Sequence, residues 1–186
     1  ATAQRWLQTS QLLSEITQES PSRAFLDTLV QVTERNEVTL RRTADAEQKR
    51  SLSDLRDQLI NQEGIGLTSA NWVFINYQFQ IENRGFEEEI RSFQFVYRPP
   101  GGTEEDIQML YVDATTPWVK DILHNKGIPL EKNQAGTAIF GNELTFPRLQ
   151  KQGKIVEISG KTVREGFDRK KRKLVQKIQR LTYESM

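Results

Sequence analysis

The side chains that could do chemistry are few, and their spacing limits what they can do. There is no cysteine, which excludes thiolate nucleophiles, disulfides and cysteine-held metals together. The single histidine, His124, stands near the end of a predicted helix, where a cation suits the helix C-terminus. A triad or zinc site built on it would need carboxylate partners that the sequence does not mark. Ser159-Gly160-Lys161-Thr162 matches the end of a phosphate-binding loop. Wrapping backbone amides round phosphates also needs a glycine at the position that Ile155 occupies, and Gly153 falls too early. A tight turn accounts for the tetrapeptide.

Carboxylates cluster at Glu87-Glu88-Glu89 and Glu104-Glu105-Asp106. Calcium loops alternate ligands with spacers round a central glycine, and neither run does. Glycoside hydrolysis by a carboxylate pair needs a defined pair, and nothing selects one. Both runs flank predicted turns and read as solvated charge. Phe93, Phe95 and Tyr97 alternate along a predicted strand and could stack bases as RNA-binding sheets do. That module mixes glycine and basic residues into the strand, whereas Arg91-Ser92-Phe93-Gln94-Phe95-Val96-Tyr97-Arg98 has no glycine. A core face packed against a helix is the expectation. No motif implies a cofactor or a metal, and none matches a family closely enough to carry a function across.

Charge is distributed unevenly. Residues 164–186 hold 8 basic and 3 acidic side chains, a balance of +5. The totals of 26 basic and 25 acidic leave 18 and 22 for residues 1–163, a balance of −4. Arg169-Lys170-Lys171-Arg172-Lys173 runs into Leu174, Ile178 and Leu181 at spacings of four and three, with Lys177 and Arg180 beside them. This predicts a basic amphipathic helix. Its candidate partner-binding residues are Arg169, Lys170, Lys171, Arg172, Lys173, Lys177 and Arg180. Three readings compete: a helix docked on the core with its charges in water, a surface for anionic lipid or an acidic protein, and a nucleic-acid contact.

The elements that would carry these residues divide the chain into three. Residues 1–63 read as a helical arm of two or three helices. Trp6, Leu13 and Ile16 give a stripe for a first helix over 3–19. Ser20-Pro21 opens a second with Phe25, Leu26, Leu29 and Val30, and Leu52, Leu55 and Leu59 mark a third over about 44–62. The 37–43 stretch fits either a short strand or more of the second helix. Residues 64–163 read as an α+β core with a mostly antiparallel sheet and packed helices. Period-two alternation marks strands from Trp72 to Ile81 and round Phe93 to Tyr97, joined as a long hairpin. Further strands are expected over 107–112 and 154–159, with a helix from Thr116-Pro117 to Gly127. Gly141-Asn142 between apolar runs predicts a tight hairpin over 137–146. Residues 164–186 form the basic helix, packed on or beside the core.

With 186 residues, 36% hydrophobic and 27% charged, the chain can bury one ordinary core. Its longest apolar runs, Trp72–Ile75 and Met109–Val112, are far shorter than a membrane span. The start, Ala1-Thr2-Ala3-Gln4, shows no signal-peptide pattern and reads as processed or trimmed. A cysteine-free chain fits cytosol or periplasm, and an opening helix that continues from a removed anchor favours an extracytoplasmic place. The expected function is a non-enzymatic protein–protein interaction domain, the soluble part of a membrane-associated or cell-envelope assembly. Its expected partners are proteins, its own copy through the N-terminal helices, or an anionic membrane surface, with no small-molecule substrate. The alternative is a nucleic-acid-binding accessory protein that uses the basic helix.

Overall fold

The computed structural model of the chain describes residues 6–82, 85–130, 136–159, 161–162 and 168–184. It is an α+β protein built on one antiparallel sheet. The strands are β1 (Trp6–Glu15), β2 (Trp72–Glu82), β3 (Gly85–Tyr97), β4 (Ile107–Asp113), β7 (Lys154–Ile158) and β8 (Lys161–Thr162), in spatial order β4-β3-β2-β1-β7-β8. A separate two-stranded ribbon pairs β5 (Gly127–Pro129) with β6 (Thr137–Ile139). The helices are α1 (Pro21–Arg35), α2 (Leu52–Glu63), α3 (Pro117–Asn125), α4 (Phe140–Glu143), α5 (Phe146–Leu149) and α6 (Asp168–Glu184).

The alternation of β2 sorts the molecule into layers. Val73, Ile75, Tyr77 and Phe79 are fully buried on one face, where Phe93 and Phe95 of β3 join them. Helices cover this face. Phe25 of α1 lies 4.6 Å from the Phe93 ring and 5.4 Å from that of Phe140. Leu52, Leu55 and Leu59 of α2, Val119 and Ile122 of α3, and Leu174 and Ile178 of α6 belong to the same apolar cluster. The core expectation for Phe93 and Phe95 therefore holds, with Tyr97 half-buried against the same cluster.

The opposite face is different in kind. In register, Leu7, Thr9, Gln11 and Leu13 of β1 meet Gln80, Gln78, Asn76 and Phe74 of β2, with Trp72 at the end. None of these belongs to the helix-covered cluster. The amide of Gln11 donates to Asn76 Oδ1 at 3.1 Å, and the amide of Asn76 donates to Ser92 Oγ at 2.7 Å, a polar ladder across three strands.

Three expectations need correction. Residues 6–15 form the strand β1 and not a helix, so among the described residues a strand comes first and not a helical arm. The inward positions of β1 include Gln8, Ser10 and Ser14, so its period of two carries no apolar signal, and the spacing of Trp6, Leu13 and Ile16 mimics a helical stripe. Pairing on both sides, with β2 and β7, overrides this weak local preference. Ser10 is buried, and its hydroxyl donates to the Glu157 carbonyl at 2.8 Å.

The second correction concerns 137–146, which is no hairpin. Phe140 and Leu144 are buried four residues apart round the short helix α4. Gly141 is there because a Cβ would come within 2.9 Å of the Leu123 carbonyl, so it sets the approach of α4 to α3.

Third, the helix expected from 44 begins only at Leu52. Before it the chain makes single bridges: Leu40 with Arg50, which closes the 40–50 loop, and Arg41 with Tyr111, which ties that loop to the edge of β4. Ser51 caps α2 by accepting the Asp54 amide at 3.2 Å, and Gly64 ends it in the left-handed region at φ 72. Ser51→Ala is expected to cost about 1 kcal/mol of stability, read as a lower urea midpoint with an unchanged slope. Ser20 precedes α1 with Pro21 at its first turn as expected, but its hydroxyl bonds back to the Thr17 amide at 2.9 Å and not into the helix.

Candidate functional site

Helix α6 forms as its spacing predicts. Leu174, Ile178 and Leu181 are 5%, 0% and 9% exposed and face inward. The helix sits at the β1–β7 end of the sheet, with Ile155 of β7 and Val175 beside its groove. The remaining positions face outward. Arg169, Arg172, Lys173 and Arg180 are exposed, with Gln176 between them and Tyr183 beyond, which gives one cationic ridge. At 1.5 Å per residue the helix is about 25 Å long.

The seven predicted residues do not all serve that ridge. Lys170 is exposed near its start. Lys171 is half-buried and, with Arg172 and Lys154, lines an open groove of about 720 Å³ between α6 and β7, where Asp168 also stands. Lys177 is turned the other way: its Nζ lies 4.0 Å from the centre of the Trp6 ring, a cation–π contact that ties α6 to β1. Arg180 approaches Glu184 at 3.9 Å, an exposed pair of small energetic weight.

The other chemistry-bearing groups are dispersed. Lys161 and Thr162 form β8, which pairs back on Glu157 and Ile158, so the phosphate-loop look-alike spans a hairpin turn; Gly160 lies outside the described residues. Ser159 holds φ at 53 in that turn. Asp106 makes a two-pronged pair with Arg98 at 2.8 and 2.9 Å, and Arg98 covers the Trp72 ring at 5.0 Å, so the carboxylate fixes the β3–β4 connection. Among the described residues no group of three or more His, Asp or Glu could hold a metal ion.

Glu87, Glu88 and Glu89 lie within β3 and not in a solvated turn. Alternation sends Glu88 to the helix-covered face between Phe86 and Ile90. Its carboxylate accepts the Phe146 amide at 3.1 Å and so caps α5, a role the neighbouring Thr145 side chain leaves open. Burial pushes the Glu88 carboxyl up from 4.5 to about 7, and the Phe146 amide opposes that rise. The Tyr77 hydroxyl, raised by burial and then by the charge of Glu88, donates to the Leu144 carbonyl at 2.7 Å.

Glu88 borders a cleft of about 740 Å³ whose walls include Lys120, His124, Asn142 and Thr145. Glu87 takes a bond from Gln80 and Glu89 one from Arg91, so neither adds a second buried acid. Sequence reasoning missed Glu88, although Phe86, Glu88 and Ile90 at a period of two were its signal.

Among the described residues no helix is long and apolar enough to cross a membrane. No family model matches the chain, and no curated protein is significantly similar to it.

Proposed function

We propose that the chain is a non-enzymatic protein–protein interaction domain whose contact surface is the cationic ridge of α6, and that it forms the soluble part of a membrane-associated or cell-envelope assembly. The observation that supports the ridge is where the apolar stripe goes. A helix that inserts into lipid needs its apolar face free, and in α6 that face is seated in the core. What the helix offers outward is charge: seven basic and two acidic residues between Asp168 and Glu184. An array of this kind attracts an acidic partner and sets the rate and specificity of encounter more than the affinity. The assembly half of the reading loses its anchor argument, because residues 6–15 are the strand β1, and the cysteine-free composition fits it without favouring it over the cytosol.

A photo-crosslinking residue at Gln176, in the chain expressed in its source cells, tests the ridge. The expected adduct is destroyed by protease, resists nuclease, and is lost in the variant Arg169→Gln, Arg172→Gln, Lys173→Gln, Arg180→Gln, whose thermal unfolding stays near that of the parent. A nuclease-sensitive adduct would instead establish a nucleic-acid contact, with affinity falling by a log–log salt slope of about 0.9 per phosphate neutralised. Recovery of the chain with the envelope fraction supports the assembly; recovery in the cytosol removes it.

A further inference from the structure

We infer that the groove between α6 and β7 takes an extended acidic segment of the protein partner, added as a strand along the open edge of β7. The inference rests on the reading of α6 as a contact surface and names what that surface recognises. β7 has an edge to offer. β8 pairs only with Glu157 and Ile158, so among the described residues Lys154, Ile155 and Val156 meet no strand on the side away from β1.

The register shows which backbone groups that edge presents. The Ser159 amide donates to the Thr9 carbonyl at 2.8 Å, so by alternation Thr9, Gln11 and Leu13 turn their backbone groups toward β7. Glu157 and Lys154 stand opposite Gln11 and Leu13, and Val156 is the extra residue of a bulge between them. Ile155, opposite Leu12, therefore turns its N–H and C=O away from β1. Ile155 is only 6% exposed, and no described backbone group pairs with it on that side. A donor and an acceptor in such a place need partners, and an added strand supplies both. The bulge and the short β8 keep the open stretch to three residues, about 10 Å, too short for one sheet to grow onto another.

Charge selects the chemistry of that strand. Asp168, Lys171, Arg172 and Val175 fall on one stripe of α6 and form the wall that faces β7. At 1.5 Å per residue this wall is about 11 Å long, a match for the open stretch. Lys171 and Arg172 belong to the helix-covered side of the sheet, whereas Lys154, opposite Leu13, belongs to the helix-free side. None of the three cations is in an ion pair among the described residues. A small anion reaches one side of the edge only. An extended chain lying along the edge sends alternate side chains to both sides, so a segment with acids on each side meets all three cations. Ile155 and Val175 leave room beside them for an apolar side chain.

Amide NMR of the isotope-labelled intact chain tests this, with a hexapeptide of two valines flanked on each side by two glutamates as the probe. The Ile155 amide is expected to exchange fast in the free chain. Saturating peptide is expected to slow it and to shift Lys154, Ile155, Lys171 and Val175. Affinity should fall by about tenfold or more when alternate peptide amides are methylated, which blocks strand pairing. The variant Lys154→Gln, Lys171→Gln should lose a similar factor while its thermal unfolding stays near that of the parent. An Ile155 amide already protected in the free chain overturns the inference, because the edge is then occupied. So does a methylated peptide that binds undiminished, or inorganic phosphate that shifts the same amides equally, either of which leaves a simple anion site. Shifts confined to Arg169, Lys173 and Arg180 overturn the groove and keep the ridge. No shift anywhere at millimolar peptide overturns the groove too, while the Gln176 adduct still decides the ridge.

Discussion

Phe146→Ala is expected to destabilise the protein by about 3–5 kcal/mol, the range for emptying a buried phenylalanine site. Phe146 is fully buried, and its ring stands edge-on to two others, 5.5 Å from Tyr77 at 80° and 5.1 Å from Phe79 at 77°. Edge-to-face pairs add about 0.5–1.5 kcal/mol each beyond area burial, so the loss belongs toward the upper end. Collapse round the cavity is restricted, because the Tyr77 hydroxyl is held by the Leu144 carbonyl and the Phe146 amide by Glu88. Phe146→Leu refills most of the volume and is expected to recover more than half of the loss. Urea unfolding of the two variants measures this. A cost under about 1 kcal/mol for the alanine variant, typical of a surface change, would show that α5 is not seated between β2 and the helical layer.

Glu88→Gln is expected to stabilise the protein at alkaline pH and to leave it unchanged in acid. The Glu88 carboxyl is raised from 4.5 to about 7, chiefly by burial. The folded state therefore binds the proton more tightly than the unfolded chain. Between pH 4.5 and about 7 the native state holds more protons, and stability falls as pH rises through that window. The contribution is complete below 4.5 and lost above 7, a difference of about 3 kcal/mol.

Glutamine keeps an oxygen that accepts the Phe146 amide and removes the titration. The variant should match the parent at pH 4 and exceed it by about 2–3 kcal/mol at pH 8. Urea midpoints across pH 4 to 8.5 provide the measurement. Parallel curves for the two proteins would mean that Glu88 does not ionise in a buried place.

What the sequence made legible follows from which signals are local. β2, β3 and β4 announce themselves because their inward positions are large and apolar, as in Val73, Ile75, Tyr77 and Phe79. α6 does so by Leu174, Ile178 and Leu181. β1 hides because Gln8, Ser10 and Ser14 occupy inward positions, and their burial is compensated by partners such as Glu157 that lie far away along the chain. Gly141-Asn142 looks like a hairpin turn because a glycine needed for helix approach and one needed for a turn are the same letter.

At the candidate contact surface, the cationic run was visible but its division was not. Nothing near Lys177 in sequence foretells that it turns onto Trp6. Glu88 was readable only by continuing the alternation of β3 through a run of three glutamates.

The central place of β1 has a bearing on how the molecule comes into being. One flank of β1 is β2, but the other is β7, reached through the Ser10–Glu157 bond across 147 residues. On a ribosome adding about 5–20 residues per second, that interval lasts roughly 7–30 s. For its last 60 residues, from Tyr97 at the end of β3 to Glu157 and so roughly 3–12 s, the three strands β1, β2 and β3 have an unpaired edge, and the apolar seat for α6 stands empty. Folding of this topology is slow because distant segments must meet before contacts repay loop closure. The nascent chain thus passes through a long stage as an open-edged sheet, the form most prone to pair with a neighbour, so expression at lower temperature or with a holding chaperone should raise the soluble yield.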